Sequence, residues 1–198
     1  PSPFAAFANL EGRAVVSNSP ERFLCRRGGL LESRPIKGTR PRTGDDVADA
    51  RQREALCLSP KERSELLMIT DLVRNDLAAV SVPGTVEVPQ LRLIEPYEHL
   101  FHSVSVVQSR EAGRQYALSV VRQLFPAGSI SGCPKLSAMN FIQQFEQRPR
   151  SLYTGAIGSI TAEGDFDFNV AIRTAELEGS RLRVPFGGGI TSDFNPRE

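Results

Sequence analysis

Lys37 stands in SRPIKGTRPRTG, residues 33–44, among three arginines, two prolines and two glycines. Of the 24 basic residues only Lys37, Lys61 and Lys135 are lysine. Arginine keeps its proton in proteins, whereas a partly buried lysine can shed it and attack as an amine. Lys37 is therefore the first candidate for covalent chemistry. Glu62 and Glu65 lie three apart in a helical stretch and project on nearly the same side, as carboxylates that meet a divalent cation do. Each also has an ordinary account: Glu62 completes a capping box behind Ser59 and Pro60, and Glu65 suits an exposed helical face. With oxygen ligands on offer and no thiolate cluster, magnesium is favoured over zinc.

Two further stretches suit anions. GSISGCPK, residues 128–135, places small and hydroxyl residues at a helix start, where backbone N–H groups point outward, although such turns also serve as plain caps. Arg173, in the apolar run NVAIRTAEL, must find a carboxylate, whether structural or on a ligand. Tyr153 could share that anion, and the bare amides of Gly187, Gly188 and Gly189 allow close approach of a ligand or a tight bend. His99 and His102, three apart in a strand-like segment, face opposite sides, so they do not suit joint metal binding. Asp71, Arg74, Asn75 and Asp76 read as a salt-bridge network pinning helix to sheet or as substrate contacts. Together these residues describe a pocket for a small, multiply anionic molecule.

The elements that must position them follow from patterning. Short strands are predicted over 4–8 and 13–17, then a hairpin turning at Gly28-Gly29. Residues 34–44 read as an ordered loop, because Pro and Gly are too frequent for a helix interior. A helix over 45–57 precedes a stronger one with Ser59 as N-cap, Pro60 at the first position and Glu62 at the third. Leu66, Leu67, Ile69, Leu72, Val73 and Leu77 supply its buried side. Strands interrupted at Pro89 and Pro96 cover 85–108, helices cover 112–124 and 135–146, and antiparallel strands with turns at Glu163-Gly164 and Glu178-Gly179 close the chain. The sum is an α+β unit whose sheet is covered by helices on one side.

At 198 residues the chain can bury a substantial core, and its formal charge of +1 argues against a dedicated nucleic-acid surface. Cys25, Cys57 and Cys133 are far apart with no CxxC pair, which fits a reduced, cytoplasmic protein. No apolar run approaches a membrane span and no signal-peptide pattern is present. Both ends read as cuts through a longer protein.

Eight stretches, in order, resemble the successive motifs of the chorismate-utilising enzymes: SPERFL (19–24), RPIKGTRPR (34–42), ERSELLMITDLVRNDL (62–77), EHLFHSV (98–104), FPAGSISGCPK (125–135), LYTGAIGSI (152–160), VAIRTAEL (170–177) and FGGGITSDFNP (186–196). The resemblance covers essentially the whole chain and implies a large α+β sandwich of antiparallel sheets with outer helices, here residues 1–198 of the C-terminal catalytic region, incomplete at both ends. Anthranilate-forming members carry PIAGT, and the lysine form PIKGT resembles the aminodeoxychorismate synthase component I type. An anthranilate synthase-like or other chorismate-converting enzyme, or a non-catalytic binding fragment, are the alternatives.

The resemblance implies roles residue by residue. Lys37 would attack C2 of chorismate, with neighbouring cations such as Arg34 or Arg40 disfavouring its ammonium form, and ammonia would then add at C4 to give 4-amino-4-deoxychorismate on the route to 4-aminobenzoate and folate. Glu21 would be the general acid or base near the departing 4-hydroxyl, and His99 the active-site histidine near that leaving group. Glu65 would ligate Mg²⁺ and Glu62 would reach it through water. Ser129 and Gly132 would touch substrate, while Tyr153, Arg173 and the Gly187 amide would clamp the enolpyruvyl carboxylate. The implied partners are chorismate and a glutamine amidotransferase subunit supplying ammonia, with no nucleic acid and no membrane. Asn140 departs from an expected glutamate and Cys133 from a usual alanine, and a later glutamate-rich motif would begin just beyond Glu198.

Overall fold

The first helix after the PIKGT segment that reaches the core starts as its sequence demands. In the computed structural model, which describes residues 2–190, the Ser59 hydroxyl accepts from the Glu62 N–H at 3.4 Å and Pro60 opens the helix. Leu66, Ile69, Leu72, Val73 and Leu77 are buried along one stripe, whereas Leu67 is half exposed. The strands before it are β1 (Phe4–Leu10), β2 (Arg13–Ser19), β3 (Arg22–Arg27), β4 (Leu30–Arg34) and β5 (Ile36–Pro41). Then come α1 (Asp46–Leu58), α2 (Pro60–Ala78), β6 (Glu87–Pro96), β7 (Leu100–Arg110), α3 (Ala117–Leu124), the single turn α4 (Gly128–Ser131) and α5 (Lys135–Glu146). Four strands end the described chain: β8 (Ala156–Ile160), β9 (Phe166–Val170), β10 (Thr174–Glu178) and β11 (Arg181–Arg183).

These elements form an α+β fold of antiparallel sheets flanked by helices. A four-stranded sheet runs β1-β2-β10-β11, and a seven-stranded one runs β5-β7-β4-β3-β9-β8 with β6 on the other edge of β7. β7 is the spine of the larger sheet. Its pleat sends Ser105 and Ser109 toward α2 and the following turn, where their hydroxyls bond those of Thr70 at 2.9 Å and Ser81 at 2.7 Å. Val107, fully buried beside them, joins Leu31, Leu24, Phe166 and Val170 of the sheet to Ile69, Val73 and Leu77 of α2 and Val120 and Leu124 of α3 in one core.

The chain passes between the sheets at two places, from β2 to β3 through Pro20 and Glu21, and from β9 to β10 through Ala171, Ile172 and Arg173. These crossings are bonded to each other: the Val170 N–H donates to the Glu21 carbonyl at 3.0 Å and the Asn18 N–H to the Arg173 carbonyl at 3.0 Å. Next to them the Ser17 and Thr174 hydroxyls meet at 2.8 Å, and the Asn169 amide donates to the Phe4 carbonyl at 2.8 Å.

Several expectations change. The predicted loop over 34–44 contains a strand, β5, because an edge position tolerates proline and the register slips between Ile36 and Thr39. β6 runs through Pro89 with two such slips instead of breaking there. The helix expected over 112–124 begins only at Ala117, after an irregular turn. Asp71 and Arg74 form an exposed ion pair at 2.7 Å, 74% and 50% exposed, and pin nothing to the sheet; Asp76 instead pairs with Lys135 at 2.6 Å.

No described helix is long and apolar enough to cross a membrane. At Gly158 of β8 an added Cβ would lie 2.1 Å from the Asp167 carbonyl oxygen and 2.7 Å from Phe168 Cα. Since both are backbone atoms of the paired strand, Gly158→Ala is expected to cost about 1–3 kcal/mol. A urea titration should show a lowered midpoint with unchanged slope, while Gly188→Ala, which meets nothing within 4 Å, should not move it.

Candidate active site

The register slip in β5 falls on Lys37 and Gly38. Bulges re-aim side chains, and this one turns Lys37 out of the ladder to donate to the Ser129 carbonyl at 3.0 Å. That carbonyl is available because α4 lasts one turn and offers no following N–H to pair with it. Gly38 has φ +93°, and a Cβ there would sit 2.8 Å from Leu56 Cδ1 and 3.2 Å from Glu62 Cδ. Both conformation and space call for glycine, so the residue beside the lysine holds the bulge against α1 and α2.

Glu21, on the first crossing, is 5% exposed. Phe23, Val73, Leu77, Leu124 and Val170 line the narrow cavity that it shares with Ser129. Burial pushes its carboxyl above the ordinary range, and the Ser129 hydroxyl, the Lys37 charge and the Ile36 backbone N–H only partly offset that. The Ser129 hydroxyl oxygen is buried without a fully formed hydrogen bond. One residue thus faces the candidate acid with its side chain and holds the candidate nucleophile with its carbonyl.

Arg173 lies at the second crossing, not within a strand, with φ +49° and its side chain exposed. It makes no ion pair among the described residues, and at an exposed corner it needs none, so the carboxylate expected for an arginine within an apolar strand is not required and the charge stays open to an anionic ligand. The segment 153–155 is tied to the same crossing: the Thr154 N–H donates to the Ala171 carbonyl at 2.9 Å and the Ala171 N–H to the Gly155 carbonyl at 2.8 Å. Tyr153 therefore sits beside the Arg173 corner, and Gly187 lies against it, since a Cβ there would be 2.8 Å from the Tyr153 hydroxyl oxygen. Burial raises the Tyr153 phenol, which keeps it a donor. Gly132 ends α4 with φ 137°, and its closest approach is to Ala138 of α5.

The buried histidine of this segment is His102, not His99. His99 is 82% exposed in the β6–β7 turn, 3.6 Å from the equally exposed Glu98, and contributes its carbonyl to the Arg42 N–H at 2.8 Å. His102 is 2% exposed, its Nδ1 lies 2.9 Å from the Thr39 hydroxyl, and the Tyr97 ring meets it edge-on at 5.5 Å. Burial first, then the Arg173 charge, pushes its pKa down to about 4, so it is a neutral imidazole near neutral pH. Sequence patterning puts His102 in the strand-like run LFHSVSVV and His99 in a polar break, but does not say which of them the sheet encloses.

Glu62 packs against Gly38 of β5 and Glu65 follows one turn later on α2, but they differ in state. Arg40 donates to Glu62 Oε1 at 2.6 Å, while Oε2 is buried with no partner. Glu65 is half-buried and forms no ion pair among the described residues. The orphaned Glu62 oxygen is chemically suited to a hard cation, with Glu65 one turn away; no group of three potential ligands occurs among the described residues. Arg34 and Arg40, expected as bare cations near Lys37, are each neutralised, by Glu95 and Glu62 respectively. Thr191–Pro196 of the last quoted motif lie outside the described residues.

A family model described as chorismate binding enzyme matches residues 1–198. The chain is 44% identical over 192 residues to aminodeoxychorismate synthase component 1 of Klebsiella aerogenes, covering 97% of this chain and 43% of that protein. It is 42% identical over 196 residues to anthranilate synthase component 1 of Saccharolobus solfataricus, covering 99% and 47%. Its structure is similar to that of anthranilate synthase component I from Streptococcus pneumoniae, with TM-score 0.82, 31% identity, and coverage of 92% and 40%. The chain spans less than half the length of each of these relatives.

The buried imidazole sets a measurable signature. The ring resonances of His102 should stay fixed between pH 7.5 and 5.5 and titrate near 4. Because the folded value lies below the ordinary 6.5, neutral His102 contributes stability that is complete above that pH and is lost as pH falls through about 4. Denaturation curves across this window should show a slope approaching about 1.4 kcal/mol per pH unit that His102→Gln reduces.

Proposed function

The chain belongs to the chorismate binding enzyme family, and from that premise we propose that it serves the amination of chorismate at C4 to 4-amino-4-deoxychorismate, with Lys37 as covalent catalyst. The observation that carries this reading is the amine of Lys37 on a bulge, held by the Ser129 carbonyl and facing the raised carboxyl of Glu21. A charged guanidinium at position 37 could not act as nucleophile.

In this mechanism Arg173 and Tyr153 take the enolpyruvyl carboxylate, the arginine by charge and the phenol by donation, with the Gly187 backbone leaving room for it. Lys37, as the free amine, forms a bond to C2 while the ring double bonds shift and the C4–O bond breaks. Glu21, protonated because burial disfavours its anion, gives its proton to the departing hydroxyl, which leaves as water. Ammonia then bonds to C4, the double bonds shift back, and the C2–N bond to Lys37 breaks, restoring the amine. Neutral His102 offers a hydrogen-bonding imidazole on the Arg173 side without adding positive charge. Mg²⁺, held by Glu65 and Glu62, would supply electrostatic stabilisation to the ring carboxylate. A glutamine amidotransferase subunit would deliver the ammonia, and a cytoplasmic setting suits its free thiols.

A second reading is anthranilate formation, favoured by the nearly equal identity to an anthranilate synthase component. Incubating the intact protein with chorismate, Mg²⁺ and ammonium separates the two by product: 4-amino-4-deoxychorismate supports the first, fluorescent anthranilate the second. Lys37→Ala and Lys37→Arg should both abolish turnover more than they raise KM, and Glu21→Gln should lower kcat by about 10²-fold or more. Full ammonia-dependent activity in Lys37→Arg would remove the covalent step.

A further inference from the structure

β7 lies between β5 and β6, and the register of both ladders puts Thr39 and Glu95 directly opposite His102, one on each side. The three side chains therefore form a row across the sheet. Glu95 is already engaged: Arg34 bonds one carboxylate oxygen and the Tyr97 hydroxyl the other, at 2.8 Å for the latter. That leaves Thr39, 2.9 Å from Nδ1, as the side chain bonded to the imidazole.

We propose that Thr39 is a positioning residue whose hydroxyl, bonded to Nδ1, fixes the orientation of the His102 ring and holds it in a single tautomer. The ring cannot flip or exchange tautomer without losing or reversing a buried hydrogen bond. Thr39 acts here through the imidazole and touches no reacting atom. Its place is fixed by the register slip at Lys37 and Gly38, so the same bulge that aims the lysine also aims the histidine's partner.

The spectroscopic half of the test does not depend on the chorismate reading. In protein labelled with ¹⁵N-histidine at pH 7, His102 should show one pyrrole-type and one pyridine-type nitrogen, the pattern of a single tautomer. Thr39→Val, nearly isosteric, should give exchange-averaged or inverted nitrogen shifts, and Thr39→Ser should restore the original pattern. The kinetic half rests on that reading: Thr39→Val should lower kcat about tenfold with KM for chorismate changed less than twofold, and Thr39→Ser should recover most of the loss. Exchange-averaged ring nitrogens in the unmodified protein, or a tautomer unchanged in a folded Thr39→Val, overturn the proposal. Shifts that change as expected without any chorismate turnover in the unmodified protein would leave the positioning role standing and remove only the assigned reaction.

Discussion

The site depends on one constraint: the two passages between sheets lie side by side and share backbone hydrogen bonds. The Glu21 carbonyl receives the Val170 N–H, and the Arg173 carbonyl receives the Asn18 N–H. Each crossing leaves the regular ladder of its own sheet, so its polar backbone groups must find partners elsewhere, and they find them on the strand end beside the other crossing. The consequence is that a buried carboxyl and a guanidinium 152 positions apart in sequence arrive at one corner. The segment bearing Tyr153 joins through Ala171, and Gly187 packs on that tyrosine.

A second irregularity supplies the amine. Without the slip between Ile36 and Thr39, strict alternation would govern where Lys37 points; with it, the side chain reaches a short helix whose carbonyl is unpaired. Gly38 makes the slip possible, and its contact with Leu56 and Glu62 fixes β5 to α1 and to α2, the helix that carries both candidate metal carboxylates. Nucleophile and histidine partner thus lie within three consecutive residues of β5, with Glu62 in the first turn of α2.

Among the described residues several buried or half-buried ion pairs are placed to hold loops. Lys135 donates to Asp76 at 2.6 Å and to the Leu124 carbonyl at 3.1 Å, clamping the turn after α4 onto α2. Burial would raise Asp76 further but for that lysine. Arg26 and Glu111, each 3% exposed, meet at 2.8 Å, and Arg26 also reaches the Gln115 carbonyl, which anchors the irregular turn before α3. Removing one partner of such a pair strands the other charge in the interior, so these contacts specify geometry more than they add net stability. Arg173 is different in kind, since it keeps a guanidinium at the corner with no carboxylate beside it among the described residues.

Local chemistry was legible from the sequence. The capping box at Ser59, the apolar stripe of α2, the hairpin at Gly28-Gly29 and the oddity of Lys37 each depend on residues within a few positions of one another, where propensity and periodicity act. Ordered motifs also carried the family resemblance and the residues Glu21, Ser129, Tyr153 and Arg173. What tertiary structure decided was every feature set by pairing across distance. It made a bulged edge strand of a Pro- and Gly-rich segment, put Arg173 on a corner and not in a strand, and exposed Asp71 and Arg74. It also chose between two histidines three residues apart: His102 is enclosed by Thr39 on one neighbouring strand and Glu95 on the other, whereas His99 stays in the turn. Strand order and register are long-range properties, and a histidine's burial depends on which strands flank it, which no local pattern encodes.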